Sequence, residues 1–263
     1  MSSWLKKPFR PFILKRHPIP DSLWRDISRQ LPLLQNLSSS DMKKLRKWAT
    51  LFIHEKTFTG VQGYEVTDET RVIIAAQACL LILNLDLEYY DGWIEIVIYP
   101  DNFKVNREVS DHNGLIHNEE RALSGESWSH GPLILSWDEA YSDSFFPTDG
   151  HHVIIHEFSH KLDMLNGRAN GMPPLHPSMQ REKWTESLSN GYYELNNNLD
   201  DPYINRYAST NPAEYFAVIS EYFFTAPDIL KTHQPDVYEQ LTLFYKQDPS
   251  VRITNQIIIM NNM

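Results

Sequence analysis

The chain has 263 residues, a formal net charge of −10 and one cysteine. A chain of this length can bury a sizeable core in one large domain or two small ones. The negative charge argues against direct binding of nucleic acid, and a single cysteine excludes an intramolecular disulfide. The apolar run 75–87 is too short and too polar to span a bilayer. With no recognisable signal peptide, these features predict a cytoplasmic protein without a membrane span.

The N-terminal residues 1–20 read as a basic, proline-rich, extended arm. Its basic residues are Lys6, Lys7, Arg10, Lys15 and Arg16. A second basic cluster, on a predicted helix, consists of Lys43, Lys44, Arg46 and Lys47. We interpret both as solvated surfaces; the alternative is contact with an anionic partner or a membrane surface.

Residues 21–92 read as an N-terminal helical region. Apolar residues recur at helical spacing around Trp24, around Trp48 and from Ile73 to Leu83. The run Ser38–Asp41 is typical of a helix N-cap. Cys79 lies in the third apolar run and is interpreted as a buried structural thiol.

Residues 93–263 read as a second region, which we expect to form one compact unit with 21–92; the motif described below identifies it as the zincin-like catalytic region. Alternating apolar residues predict strands at 93–100 and 133–137, separated by polar hairpins or a mobile loop at 101–130. Helices are predicted around 180–195, 212–225 and 234–246, and the apolar tail 257–263 can dock or fray. The expected fold class is α+β, mainly helical, with a small sheet packed beside the helix described next.

The most informative motif is H-E-x-x-H, formed by His156, Glu157 and His160. Apolar residues before and after the motif predict a buried helix, with Asp149 as a possible N-cap. Histidines four residues apart share one helix face, so their imidazoles can converge on one ion. A carboxylate beside the first histidine can take a proton from a metal-bound water. The motif therefore predicts a zinc hydrolase; the alternative is a core helix with two histidines.

A catalytic zinc site needs a third protein ligand. The run Asn211-Pro212 is typical of a helix start, which places Glu214 in the first turn of the next helix. Glu221 lies two turns further on nearly the same face, so spacing leaves both glutamates open as the third ligand.

Three other residues near the motif were considered as part of the site. Asp163 is a candidate partner for a ligating histidine. His152 reads as a solvated or capping residue of the first turn. His176 lies between prolines, in a segment that cannot be helical.

The chain resembles the Mlc titration factor A family of bacterial gluzincin-type metallopeptidases. The segments that carry the resemblance cover most of the chain: residues 74–80, 98–100, 131–138, 156–167 and 211–227. The region from His156 onwards is also similar to the catalytic domain of anthrax lethal factor. The resemblance implies that His156, His160 and Glu214 bind Zn²⁺ and that Glu157 is the general base. It further implies that Tyr207 points into the site and stabilises the oxyanion or donates a proton.

Two functions follow from these observations. The first is a zinc-dependent peptidase that acts on a peptide or protein substrate, with aminopeptidase activity as the narrower form of this hypothesis. The second is a regulatory protein that sequesters a sugar-uptake transcriptional repressor of the Mlc type, as the family name implies, with a secondary or dormant metal site. The strand at 132–137 is the expected edge for an extended substrate; the alternative is a core strand. Asp138, Glu139 and Asp143 are candidate partners for a substrate N-terminus.

Overall fold

A computed structural model of the protein describes residues 7–35, 37–101, 131–198 and 201–252, and the backbone alone of 103–110, 116–123 and 125–127. The predictions for Lys6 and for the tail 257–263 fall outside the described residues. Within these described parts of the chain, no helix is both long and apolar enough to cross a membrane.

The N-terminal region contains helices α1 (Arg10–Arg16), α2 (Asp21–Ser28), α3 (Ser39–Glu55) and α4 (Asp68–Leu81). The predicted cap of α3 is present, because Ser38 Oγ accepts a hydrogen bond from the Asp41 amide at 3.1 Å. The prediction of an extended arm is wrong for residues 10–16, which form α1 and pack on α3. Burial of Ile13 and Ile19 stabilises this arrangement. The many basic residues and prolines of the segment led to the prediction of an extended arm.

A four-stranded sheet lies beside these helices in the order β1 (Thr57–Gly60), β2 (Glu95–Tyr99), β6 (Leu133–Ser136) and β5 (Gly125–Ser127). The first three strands are parallel, and β5 pairs with β6 in the antiparallel sense. Strands β3 (Phe103–Ser110) and β4 (Ile116–Leu123) form a separate antiparallel hairpin. The predicted strands correspond to β2 and β6, and the hairpin lies in the segment for which hairpins or a loop are predicted.

Strand β6 is not the edge of the sheet, so the interpretation of 132–137 as a substrate-binding edge is wrong and the alternative, a core strand, is correct. It is paired with β2 on one side and with β5 on the other. Its burial agrees with this position, since Leu133 and Leu135 are fully buried. The edge strand next to β6 is β5. It has only three residues and lies in a polar segment, so it is too short for an alternating pattern to predict it from the sequence.

The remaining helices are α5 (Trp137–Phe145), α6 (Val153–Asp163), α7 (Arg181–Asn197), α8 (Pro212–Thr225), α9 (Pro227–His233) and α10 (Pro235–Tyr245). Helix α6 contacts α4 and α8 and lies against β5 and β6. Phe158 of α6 packs into an aromatic cluster with Phe52, Tyr90 and Trp93, at ring-centroid distances of 5.2–5.9 Å. The predicted α+β class is confirmed: the fold is mainly helical, with a small sheet.

Candidate metal centre

Helix α6 presents the H-E-x-x-H motif from a buried position. Ile154, Ile155 and Phe158 are fully buried, so the opposite side of the helix directs His156 and His160 towards α8. The predicted N-cap Asp149 is wrong, because α6 begins after His152 and has no side-chain cap of its own.

Two carboxylates from other helices replace this missing cap. Asp143 Oδ2 of α5 accepts a hydrogen bond from the Val153 amide at 2.8 Å, and Glu221 Oε2 of α8 accepts one from the His152 amide at 2.5 Å. Negative charge at a helix N-terminus also interacts favourably with the helix dipole. The start of the motif helix is therefore fixed by tertiary contacts, which local sequence cannot reveal.

Helix α8 begins as the sequence predicts. Asn211 Oδ1 accepts hydrogen bonds from the amides of Ala213 at 2.9 Å and Glu214 at 3.0 Å, and Pro212 occupies the first helical position. This cap fixes the first turn of α8 and thereby directs the Glu214 side chain towards α6.

The side chains of His156, His160 and Glu214 converge. The distance from His156 Nε2 to Glu214 Oε2 is 3.1 Å, from His160 Nε2 to the same oxygen 3.3 Å, and between the two Nε2 atoms 3.2 Å. These three atoms form a nearly equilateral triangle, and each can offer a lone pair to a cation.

This donor set fits a zinc ion. Imidazole nitrogen and carboxylate oxygen are ordinary zinc ligands, at about 2.0–2.2 Å from the ion. A point slightly off the plane of the triangle lies at such a distance from all three atoms. Three protein ligands are fewer than the four usual in structural zinc sites, so an ion held by these residues would be able to bind water or substrate as well.

Glu221, the other candidate for the third ligand, lies on the far side of the His156 ring. Its Oε1 is 2.7 Å from His156 Nδ1, and its side chain is almost completely buried. A carboxylate in this position fixes the tautomer of the imidazole, because it accepts the Nδ1 proton and leaves the Nε2 lone pair towards the triangle. Glu214 and Glu221 thus contact opposite nitrogens of the same histidine.

The electrostatics of the triangle favour a cation. Burial lowers the pKa of His156, but the Glu221 charge and hydrogen bonds to Glu214 and Glu221 raise it well above its ordinary value. Burial raises the pKa of Glu214, and hydrogen bonds to His156 and His160 outweigh this effect and hold it well below its usual range. Glu214 is therefore ionised at neutral pH, and positive charge is stabilised between it and the histidines.

Glu157 and Tyr207, the predicted catalytic residues, border this triangle. Glu157 is only 4% exposed, and its charge contributes to the raised pKa of His156. The Tyr207 ring lies 5.9 Å from the His156 ring and is 44% exposed, so it sits where the site meets solvent. Its backbone amide donates to Asn205 Oδ1 at 2.9 Å, which holds the short turn Arg206–Ser209 that carries it.

Asp163 is buried beside the site but does not hydrogen-bond to a ligating histidine. Its Oδ2 accepts from the amides of Asn170 and Gly171, both at 2.7 Å, and so holds the loop that follows α6. His160 Nδ1 and Asp163 Oδ1 are both buried without a hydrogen-bond partner among the described residues. Burial raises the pKa of Asp163, and the hydrogen bonds from the Gly171 and Asn170 amides partly oppose this rise.

His152 is not the solvated residue that the sequence suggests. It is fully buried, its Nε2 lies 2.7 Å from Gln77 Oε1, and burial lowers its pKa to about 3. His176 lies outside the triangle, as expected, since its Nε2 donates to the Phe244 carbonyl at 2.8 Å.

A second polar cluster adjoins the first through Glu221. His151 Nε2 lies 3.0 Å from Glu139 Oε1 and 3.6 Å from Asp143 Oδ2, and its Nδ1 lies 3.6 Å from Glu221 Oε2. The hydrogen bond to Glu139 is the main reason that the pKa of His151 rises to about 9, so this imidazole is protonated at neutral pH. Sequence analysis did not identify His151, although its position beside the motif was a usable signal.

The sequence comparisons agree with this geometry. A profile of the family described as glucose-regulated metallo-peptidase M90 matches residues 2–246. Mlc titration factor A of Salmonella arizonae is 40% identical over 239 residues, which cover 89% of this chain and 94% of that protein. The protein of the same name from Klebsiella pneumoniae subsp. pneumoniae is 39% identical over 228 residues, covering 84% of this chain and 85% of its own length. The chain therefore belongs to the glucose-regulated metallo-peptidase M90 family.

Proposed function

We propose that this protein is a zinc-dependent peptidase of the gluzincin type, in which His156, His160 and Glu214 hold the ion. The observation that carries the proposal is the triangle of three donor atoms at 3.1–3.3 Å from one another. A zinc ion held there would supply Lewis-acid activation of a water molecule and of the substrate carbonyl. Membership of a metallopeptidase family supports the same reaction class.

The chain's own residues perform the proton transfers in this proposal. Glu157 takes a proton from the attacking water and later gives it to the leaving amine. The Tyr207 phenol donates a hydrogen bond to the oxyanion of the tetrahedral intermediate. Glu221 keeps His156 in the required tautomer through its 2.7 Å contact with Nδ1.

Among the described residues, the edge of the sheet next to α6 is strand β5. Strand β5 ends the sheet and lies against α6, so its outer backbone groups can pair with a substrate strand. Aminopeptidase specificity is a further part of the proposal. Of the carboxylates expected to bind a substrate N-terminus, Glu139 and Asp143 point at His151, which leaves Asp138 as the better candidate.

A second function is proposed from the names of the relatives. Proteins called Mlc titration factor A are 38–40% identical to this chain over most of its length. We propose that this protein also binds a transcriptional repressor of the Mlc type, in the cytoplasm, through a surface that does not need the metal site.

The peptidase proposal is tested with Glu157→Gln. We expect hydrolysis of a peptide p-nitroanilide to fall by about 10²–10⁴-fold, because the general base is lost. Zinc content measured by elemental analysis should stay unchanged. Glu186→Gln, on the exposed side of α7, removes the same charge away from the site and should keep full activity.

The same variant separates the two functions. If purified Mlc-type repressor binds wild type and Glu157→Gln equally, the repressor surface is independent of catalysis. Absence of hydrolysis in zinc-loaded wild type, with repressor binding intact, would refute the peptidase proposal and leave the regulatory one.

A further inference from the structure

The charge of this protein is divided very unevenly along the chain. Residues 1–56 contain 12 of the 24 Lys and Arg residues but only 4 of the 34 Asp and Glu residues. The formal charge of this segment is therefore +8, and that of residues 57–263 is −18. The net charge of −10 is therefore the sum of a basic N-terminal segment and an acidic remainder.

The fold places the two basic clusters of this segment on neighbouring helices. Helix α1 packs on α3, and Arg46 of α3 hydrogen-bonds to the Ile19 carbonyl at 2.5 Å. The side chains of Lys15 and Arg16 on α1 and of Lys43 and Lys47 on α3 are exposed. Two runs that are separate in sequence thus lie on two helices that pack against each other.

Two phenylalanines project from the same region. Phe9 is 64% exposed and Phe12 is 55% exposed, while the Arg16 guanidinium lies 5.1 Å from the centre of the Phe12 ring. Helix α1 is nevertheless fixed to the protein. Ile13 is buried, and Arg10 lies 3.6 Å from the Glu55 carboxylate and 3.7 Å from that of Asp86.

We propose that this N-terminal basic face binds the surface of an anionic phospholipid bilayer. The face is defined by Phe9, Phe12, Lys15, Arg16, Lys43 and Lys47. Lysine and arginine are attracted to anionic headgroups, and aromatic side chains beside them insert at the headgroup boundary. The acidic remainder of the chain is repelled by the same surface, so the protein binds with one orientation.

The two phenylalanines favour a bilayer over the other anionic partners. Binding to nucleic acid is dominated by phosphate contacts and does not require exposed aromatic rings on a short helix. In a bilayer, each phenylalanine ring leaves water when it enters the boundary region, which adds to the electrostatic attraction. This inference is independent of the proposed peptidase activity.

The test is sedimentation with vesicles of phosphatidylcholine alone and of phosphatidylcholine mixed with phosphatidylglycerol. We expect binding only to the anionic vesicles, and weaker binding as salt is added. The double variant Lys15→Glu/Arg16→Glu should bind more weakly by about fivefold or more for each charge reversed, from the attraction of one basic residue to such a surface. The double variant Phe9→Ser/Phe12→Ser should bind at least about tenfold more weakly than wild type, because the rings no longer insert.

Matched controls come from the acidic part of the chain. Phe146→Ser removes an aromatic ring that is 73% exposed, and Arg181→Gln/Lys183→Gln removes two exposed charges from α7. Both should bind like wild type, and circular dichroism should show that all variants are folded. The proposal is overturned if anionic vesicles do not bind wild type, if the controls lose as much binding as the test variants, or if duplex DNA is bound in preference to vesicles.

Discussion

Glu221 contacts His156 at the nitrogen opposite the candidate metal position, with Oε1 at 2.7 Å from Nδ1. Its other oxygen accepts a hydrogen bond from the His152 amide at the start of α6. One carboxylate therefore both orients a candidate ligand and caps the helix that carries it. The geometry of the site depends on the packing of α8 against α6 and not on the motif alone.

The first prediction concerns the role of Glu221. Glu221→Gln preserves the shape of the side chain but removes the charge that orients His156 and caps α6. Loss of such a partner typically weakens metal binding by about 10–100-fold, and we expect a decrease of this size in a competition with a zinc chelator. Unchanged zinc affinity would show that the contact of Glu221 with Nδ1 does not affect metal binding by His156.

The second prediction concerns how Tyr207 is held in place. The Tyr222 hydroxyl accepts a hydrogen bond from the Asn205 amide at 3.0 Å, and Asn205 in turn holds the Tyr207 amide. Tyr222→Phe should lower kcat roughly tenfold with little change in KM, since small displacements of catalytic groups are costly. If Tyr207 has its proposed role, this result would identify Tyr222 as a positioning residue that acts through Tyr207.

A double-mutant cycle tests this dependence. In a Tyr207→Phe background, adding Tyr222→Phe should have no further effect on kcat. Tyr215→Phe is the control, because Tyr215 lies on the same helix and its hydroxyl donates to Gln234 Oε1 at 2.6 Å, away from Asn205. Additive effects of the Tyr207 and Tyr222 substitutions would rule out the positioning role.

The third prediction concerns Gly150, which has φ of 72°. A Cβ at this position would lie 2.0–2.4 Å from three atoms of the Tyr222 ring. Gly150→Ala should lower the free energy of unfolding by about 2–4 kcal/mol, from backbone strain together with displacement of the ring. Urea denaturation provides the measurement.

Gly63→Ala is the matched control for the backbone. Gly63 has φ of 83° and no heavy atom within 4 Å of an added Cβ, so the substitution introduces strain without a clash. It should cost only about 1 kcal/mol. Equal losses for the two alanine variants would mean that Tyr222 moves aside at no cost.

The fourth prediction concerns the pH dependence of stability. Burial lowers the pKa of His152 to about 3, whereas an unfolded histidine has a pKa of about 6.5. The unfolded chain therefore binds a proton that the folded protein excludes. The free energy of unfolding consequently decreases as pH falls from 6.5 towards 3. Between pH 7 and pH 4.5 the loss is about 2 kcal/mol.

Urea midpoints of the metal-free protein at pH 7 and pH 4.5 measure this loss. His152→Gln removes the titrating group and keeps a donor for Gln77 Oε1. The variant should be less stable than wild type at pH 7, but its stability should fall less on acidification. An identical fall in both proteins would assign the acid sensitivity to other groups.

Local sequence predicted the elements that carry the site, because their signals are local. The helix start at Asn211-Pro212 and the apolar face of α6 both depend on residues within one or two turns. The rotation of α8 about its axis has no local signal, so spacing alone leaves both Glu214 and Glu221 open as the third ligand. In the structure, the two carboxylates contact opposite nitrogens of His156. The resemblance to a known family implies Glu214, whose Oε2 lies 3.1 Å from His156 Nε2 and 3.3 Å from His160 Nε2.

The parts that were missed depend on contacts between distant segments. His152 is buried by Gln77, which lies 75 residues away, and the cap of α6 comes from Asp143 and Glu221. Strand β6 is interior only because the short strand β5 returns to pair with it. Neither the burial of a histidine nor the order of strands has a signature within a short window of sequence.

The central claim is that His156, His160 and Glu214 together hold one zinc ion. The most direct test is zinc per chain, measured by elemental analysis after dialysis, in wild type, Glu214→Gln and Glu221→Gln. We expect one zinc per chain in wild type and a clear loss in Glu214→Gln. Glu221→Gln should hold one zinc per chain when the dialysis buffer contains free zinc well above the weakened dissociation constant of this variant. Full retention in Glu214→Gln, or no zinc in wild type after the metal is added back, would contradict this claim.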